Sequence, residues 1–331
     1  MNKQQSGFIM MVMIVIMVVG AAAYFGVFNE NLIFKNKVKL TERDIANNLK
    51  IREQLLRYAT FQPELYESDP TGGTGYALKQ INLVPGPGYF PCVDLNGDGE
   101  VLAAETSCGN PRDATDDSTG FAIGFLPVGF STRNIFFGGL EAKQFYYVVD
   151  ERFVNGNNLY NNGSTGRYAP LNPALTPAAA PDASPGLLLP DNTKPWLSLN
   201  GVEGYVALII SPGKPMVMQD GTVQDRTQPG DAVARMGDYL DKRFNASGTE
   251  LNGNSDGDRF FFSQSKNNIG VNDTIVGITF EEWQSAMLKR VCFQRSDLEA
   301  LDVNDPVWFN AYDSANNPAG SDWRSYMGNC P

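Results

Sequence analysis

The sequence predicts an α+β fold, in which a long amino-terminal helix with a membrane-spanning first half leads into a strand-rich head with long loop insertions. An unbroken apolar run from Phe8 to Phe28 predicts the membrane-spanning half. A helical spacing of apolar residues that continues to Gln62, with no Gly or Pro after Gly26, predicts the second half. Short segments rich in aromatic and β-branched residues, bounded by Gly, Asn, Asp or Pro, predict the strands of the head.

The apolar run is long enough to cross a bilayer. At a rise of about 1.5 Å per residue it forms a helix of about 30 Å, which matches the thickness of the hydrocarbon core. Lys3 is the only charged side chain before the run. Its positive charge should keep the amino terminus in the cytoplasm, so we expect the rest of the chain to be exported.

Three interpretations fit this amino-terminal segment. It is an uncleaved anchor, a secretory signal cut near the small residues 21–23, or a type IV prepilin leader. The third interpretation takes residues 1–7 as the leader, Gly7 as the cleavage point and Phe8 as the first mature residue. Its processing partner would be a prepilin peptidase.

The pattern of residues 29–62 favours the prepilin interpretation. Apolar residues recur there at helical spacings with charged residues between them: Ile45, Leu49, Leu55, Leu56 and Ala59. An amphipathic half that continues a membrane-spanning helix is unusual for a simple tether, and a cleaved signal would not need one. We expect the region Glu42–Arg57 to bury one stripe against the head.

The composition narrows the class of function. A formal net charge of −11 repels phosphate, so we predict no nucleic-acid partner. The chain has no histidine, which excludes Ser-His-Asp and Cys-His catalysis and histidine-ligated zinc. Ser211 and Lys214 match an S-x-x-K motif, but the sequence has no S-D-N or K-T-G partner for it. We therefore predict that the protein is not an enzyme and has no catalytic residues.

The four cysteines are an even number, which predicts two disulfide bonds in an exported head. Four cysteines allow three pairings. We expect sequence neighbours to pair, as Cys92–Cys108 and Cys292–Cys330.

The head is expected to span residues 63–291, and a disulfide-closed carboxy-terminal region to span residues 292–331. Between residues 155 and 195, repeated prolines among Asn, Gly and Ala predict an exposed loop insertion. The predicted strands are Phe145–Val149, Tyr205–Ser211, Phe260–Phe262 and Ile275–Ile278.

A late helix is predicted to begin at Thr279. Glu282 lies three residues further on and completes a capping box. Trp283, Met287 and Val291 recur at helical spacing, so we expect them to form the buried stripe.

The sharpest local motif is the twelve-residue pattern of residues 94–105. It has oxygen donors at the first, third and fifth positions, a glycine at the sixth and an acid at the twelfth, so the predicted ligands are Asp94, Asn96, Asp98, the backbone carbonyl of Glu100, and Glu105. Oxygen donors in this order are typical of a Ca²⁺ loop, and we predict Ca²⁺ as the cofactor. The alternative is an acidic Asn/Gly turn. A Cys92–Cys108 disulfide would hold the ends of the loop in place of the usual helix pair.

Residues 252–258 repeat the first half of this pattern. The twelfth position is Ser263, which supplies no bidentate acid. A plain turn is therefore the favoured interpretation, with a second metal site as the alternative.

Several short motifs resemble, in the same order, the type IV pilin and type II secretion pseudopilin superfamily and its large prepilin-like bacterial members. They are found at residues 7–8, 90–92, 94–99, 124–127, 145–147, 207–213, 256–258 and 272–273. The resemblance implies a pilin-like fold whose amino-terminal helix packs on an antiparallel sheet, with cleavage after Gly7 and methylation of the Phe8 amine. It also implies a single-pass protein of the bacterial inner membrane with its head in the periplasm, which then joins other pilin or pseudopilin subunits in a filament or at the cell surface.

Val12 departs from the pattern of this superfamily, because most members carry a glutamate at the fifth mature residue. That carboxylate offsets a free amine that is buried among apolar helices in the assembled filament. We therefore expect a minor subunit, at the tip or at initiation, of a type IV pilus or type II secretion-like filament. The alternatives are a membrane-anchored periplasmic binding protein or calcium-dependent adhesin that does not polymerise, and an anchored periplasmic hydrolase.

Overall fold

The computed structural model divides the chain into two units, Met1–Asn47 and Asn48–Pro331, and the fold below is that of the second. The structure describes residues 42–60, 88, 90–96, 121–127, 145–150, 153, 196–218, 220–221, 223–226, 231–232, 234–265, 270–293 and 330. The helices are α1 (described over 42–60), α2 (Met236–Tyr239) and α3 (Phe280–Phe293). The strands are β1 (Phe121–Phe125), β2 (Tyr146–Asp150), β3 (Leu197–Leu199), β4 (Val202–Ser211), β5 (Arg243–Phe244), β6 (Glu250–Leu251), β7 (Phe260–Phe261) and β8 (Thr274–Thr279).

A six-stranded mixed sheet forms the centre of the fold. Its order is β1-β2-β4-β3-β7, and β8 pairs with β4. The long strand β4 is antiparallel to β2, β3 and β8, whereas β3 and β7 run parallel. Strands β5 and β6 form a separate two-stranded hairpin.

Both faces of the sheet are covered, and β2 makes this plain because all of its residues are buried. Tyr146 and Val148 point into one apolar cluster, and Tyr147 and Val149 point into the other. Alternate residues of a strand face opposite sides, so a continuous apolar run indicates a sheet that is buried on both faces.

Helices α1 and α3 cover the first face. Ile51, Leu55 and Ala59 of α1 pack in the same cluster as Trp283 and Met287 of α3. On the opposite face, the segment around α2 supplies Ala232, Met236 and Leu240 to the second cluster. The hydroxyl of Tyr146 donates to the Ala232 carbonyl at 2.9 Å and ties this layer to β2.

The prediction for α3 is confirmed. The Glu282 N–H donates to Thr279 Oγ1 at 3.2 Å, and the Thr279 N–H donates to Glu282 Oε2 at 3.1 Å, which is the reciprocal pattern of a capping box. Trp283, Met287 and Val291 are all buried. Because these signals are local in sequence, they could be read without knowledge of the tertiary fold.

The four predicted strands are also present, with boundaries that differ by up to three residues. The sequence patterns missed β1, β3 and the short β5–β6 hairpin. Strands β3, β5 and β6 have two or three residues and are too short for a period of two to become visible, whereas β1 has five residues, all of them buried, and so shows no alternation of apolar and polar residues.

The predicted pilin-like fold class is wrong. The sheet is mixed rather than antiparallel, since β3 and β7 are parallel. Within the part of the chain that the structure describes, none of the helices combines the length and the apolar character needed to cross a membrane. Helix α1 carries charged side chains along its length, among them Lys50, Arg52, Glu53 and Arg57.

The same finding corrects the predicted location as a single-pass protein of the bacterial inner membrane, which required a membrane-spanning helix. Residues 8–28, where that helix was expected, lie outside the described residues, as do Gly7 and Phe8. The loop insertion at 155–195 also lies outside them.

Candidate functional site

The start of the predicted calcium loop is anchored to the central sheet. Asp94 is fully buried and exchanges backbone hydrogen bonds with Phe125, of 3.0 Å from its N–H and 2.8 Å to its carbonyl. The next carbonyl, that of Leu95, accepts a bond from the Ala232 N–H at 2.7 Å. Asn96 follows directly, so the first and third predicted ligands stand on a fixed backbone. Asp98, Glu100 and Glu105 lie outside the described residues.

Gly124 allows the chain to approach β1 this closely. A Cβ atom at this position would lie 2.8 Å from the Asp94 carbonyl oxygen and 2.9 Å from Val93 Cβ. Distances below 3.0 Å are not tolerated between such atoms, so any side chain at this position would displace the start of the loop.

The structure describes both cysteines of one predicted disulfide bond and one cysteine of the other. Cys292 and Cys330 are bonded, with Cα atoms 5.4 Å apart, as predicted. Cys92 is also disulfide-bonded. Cys108, its predicted partner, lies outside the described residues, so the Cys92–Cys108 pairing stays a prediction.

Residues 252–258 form a turn whose side chains bond to the turn itself. Asp256 accepts the Gly253 N–H at 2.7 Å, and Asp258 accepts both the Phe260 N–H and the Asn252 amide at 2.8 Å. Asx bonds of this kind are typical of turns. Among the residues with described positions, no three acidic, cysteine or histidine side chains gather where they could hold a metal ion.

The junction between α1 and α3 is held by polar groups at the carboxyl end of α1. The Gly88 N–H donates to the Ala59 carbonyl at 2.7 Å, and Trp283 Nε1 donates to the Gly88 carbonyl at 2.9 Å. The buried Arg290 guanidinium donates to the Thr60 carbonyl. The carbonyls of Ala59 and Thr60 are thus paired with donors from outside α1.

A second polar contact fixes the middle of α1 to the sheet. Asn48 is fully buried, and its amide donates to the Thr274 carbonyl of β8 while its oxygen accepts the Ser211 hydroxyl of β4, both at 2.9 Å. Further along, Arg52 donates to the Gly277 carbonyl at 3.1 Å and forms an ion pair with Glu282. The Ser211 hydroxyl of the S-x-x-K motif is therefore engaged with Asn48.

The outward side of α1 differs from the sequence prediction. Leu55 and Ala59 are buried as expected, but Ile45 and Leu49 are 40% and 46% exposed, and Asn48 and Ile51 complete the buried stripe instead. The helix thus presents apolar side chains both to the core and to solvent.

Beside this face lies a mostly apolar groove between α1 and α3, with a volume of about 820 Å³. Phe293, at the end of α3, is 88% exposed at its edge. The groove is lined by Leu56, Thr60, Glu281, Glu282, Ser285, Ala286, Lys289, Arg290 and Phe293.

On the opposite face of the sheet, two buried carboxyl groups lie close together, one of them just after the end of α2. Asp241 and Asp273 are both fully buried, and each accepts the backbone N–H of the other, at 2.9 and 3.0 Å. Burial, followed by the negative charge of Asp273, raises the pKa of Asp241 to about 8. The pKa of Asp273 is also raised, mainly by burial.

Sequence reasoning missed Asn48 and this acidic pair. Asn48 looks like a break in the apolar stripe, because its partners are 163 and 226 residues away. Asp241 and Asp273 resemble ordinary loop acids until the fold buries them.

Comparisons with protein-family models, with curated proteins and with solved structures returned no match for this chain.

Proposed function

We propose that this protein is a minor subunit of a type IV pilus or type II secretion-like filament, which assembles through helix–helix contacts of α1. The observation that carries the proposal is the second apolar face of α1, where Leu49 is 46% exposed while Ile51 and Leu55 are buried against the head. The proposal concerns assembly and the processing of the amino terminus. It does not rest on the pilin-like fold or the membrane anchor, both of which are corrected above.

Two features of the head support packing between subunits. The exposed Leu49 and the partly buried Leu56 are seven residues apart and so lie on the same side of the helix. The neighbouring groove and the exposed Phe293 extend the apolar surface to α3. Apolar patches that continue across neighbouring elements mark sites of protein contact.

The proposal is tested by the composition of sheared surface filaments from the source cells. Wild-type chain should be recovered with the filaments, and Leu49→Asp should lose recovery at least about tenfold, because a buried, unpaired charge costs more than the 1.4 kcal/mol that a tenfold change requires. Lys50→Gln, at the next exposed position, is the matched control and should be recovered as the wild type is.

The melting temperature of Leu49→Asp should equal that of the wild type, because Leu49 is not part of the core. Absence of the wild-type chain from the filaments would contradict the proposal, and so would undiminished recovery of Leu49→Asp.

Processing by a prepilin peptidase belongs to the same proposal. Mass spectrometry of the mature chain should then find an amino terminus at a methylated Phe8. An intact Met1, or a start at Tyr24 as after ordinary secretion, would contradict this processing.

We also propose Ca²⁺ at residues 94–105, supported by the rigid placement of Asp94 on the sheet. Chelation should lower the melting temperature of the full chain, and Asp98→Ala should remove that response. Glu281→Ala is the matched control, because Glu281 is an exposed acid of α3 outside both acidic loops. A melting temperature that chelation leaves unchanged would rule out the site.

A further inference from the structure

The pair Asp241–Asp273 joins parts of the chain that are distant in the fold. Asp241 follows α2, and Asp273 precedes β8. Asp273 also accepts the Gly213 N–H at 3.3 Å and the Asn254 amide at 2.8 Å. The two carboxyl groups therefore hold the α2 segment, the loop after β4 and the 252–258 turn to the central sheet.

The donors around Asp241 are mostly neutral. Asp241 accepts bonds from the Gln224 amide at 3.1 Å and from the Asn272 and Asp273 N–H groups at 2.6 and 3.0 Å. Neutral N–H donors stabilise a carboxylate but do not cancel its charge.

One cation, Arg226, acts on both carboxyl groups. Its guanidinium donates to the carbonyls of Gly213, Asp238 and Tyr239 and to the Gln224 side chain rather than to either carboxyl group. Among the residues whose positions are described, one positive charge therefore acts on the two buried acids.

The other charged or titratable groups nearby have partners of their own. Lys242 bonds Asp220 at 2.7 Å and pairs with Glu250 at the surface. Asp238 pairs with Arg235 at 2.9 Å. The Tyr239 hydroxyl donates to the Arg226 carbonyl at 3.3 Å.

The acids of the 252–258 turn are similarly engaged. Asp256 bonds within the turn and Asp258 accepts the Phe260 N–H; Arg243 acts on both acids, and Arg259 acts on Asp258. These two cations are therefore engaged with the acids of the turn.

We propose that Asp241 and Asp273 form a proton-dependent clasp, in which one of the two carboxyl groups carries a proton at neutral pH and loss of that proton loosens the α2 segment. Two ionised carboxyl groups in a buried site repel each other, and one cation offsets only part of that repulsion. Loosening would expose Met236, Leu240 and Phe261 of the second cluster. The raised pKa of both groups agrees with this geometry.

The sign of the pH effect follows from the raised pKa. The folded chain binds the proton more tightly than the unfolded chain, so this contribution to stability is complete below the ordinary carboxyl pKa and is lost as pH rises through about 8. For one proton, the folding equilibrium constant falls by at most about tenfold per pH unit.

The test is urea unfolding of the full chain between pH 5 and pH 9. The folding constant of the wild type should fall as pH rises, whereas Asp273→Asn should lose most of that slope. Glu281→Gln, which removes an exposed acid from α3, should keep the wild-type slope. A wild-type constant that does not change with pH, or an equal slope in Asp273→Asn, would overturn the clasp.

Carboxyl carbon chemical shifts of the wild type provide a second readout if Asp273→Asn does not fold. At least one aspartate signal should titrate above pH 6.5 and be absent from Asp241→Asn. Titration of every aspartate below pH 5 would overturn the proposal.

Discussion

Replacement of Asn48 by Ala should detach the middle of α1 from the sheet. The change removes both hydrogen bonds of the side chain and leaves the Ser211 hydroxyl without its acceptor in a site that is only 6% exposed. A buried polar group without a partner costs about 1–3 kcal/mol, and the lost bond to the Thr274 carbonyl adds about 1 kcal/mol. We expect the free energy of unfolding to fall by about 2–4 kcal/mol.

A double-mutant cycle measured by urea unfolding separates this bond from a general loss of packing. Ser211→Ala alone leaves the Asn48 oxygen unpaired, but Ser211→Ala in the Asn48→Ala background removes a hydroxyl that already lacks a partner. The two changes should therefore cost at least about 1 kcal/mol less together than their sum. Leu49→Ala, one residue further along, should stay within about 0.5 kcal/mol of the wild type. Additive costs, or an Asn48→Ala protein as stable as the wild type, would refute the reasoning.

Two further predictions concern stability, each measured by thermal or urea unfolding. Gly213→Ala should lower the free energy of unfolding by about 1–3 kcal/mol, because its Cβ would lie 2.6 Å from the Asn272 backbone oxygen. Gly237→Ala, whose Cβ would have no atom within 4 Å, should raise the free energy of unfolding by up to about 1 kcal/mol, and equal effects of the two changes would contradict this. Replacement of both Cys292 and Cys330 by Ser opens a loop with a sequence separation of 38 and should cost about 2–4 kcal/mol, and an unchanged unfolding midpoint would contradict it.

The elements that the sequence predicted correctly are those whose signals are local. Helix α3 was readable from Thr279 and Glu282, three residues apart, and β2 was readable from its aromatic and branched residues. The fold class was not, because the direction of β7 against β3 depends on contacts between Ser198 and Phe260 that no local pattern encodes.

The exposed face of α1 shows a related limit. Helical spacing places Leu49 and Leu56, seven residues apart, on one face, but the polar Asn48 occupies a buried position because Ser211 and Thr274 offer it partners there. Likewise, Asp241 became a candidate for pH-dependent behaviour only once the fold had brought Asp273 against it.

The bonds at the two ends of the segment 48–60 have a mechanical consequence. Asn48 fastens one end to β4 and β8, and the carbonyl of Thr60 fastens the other to Arg290, two residues before the Cys292 crosslink. A tensile load along the segment 48–60 is therefore shared by hydrogen bonds at both of its ends, and this segment and the sheet should move together.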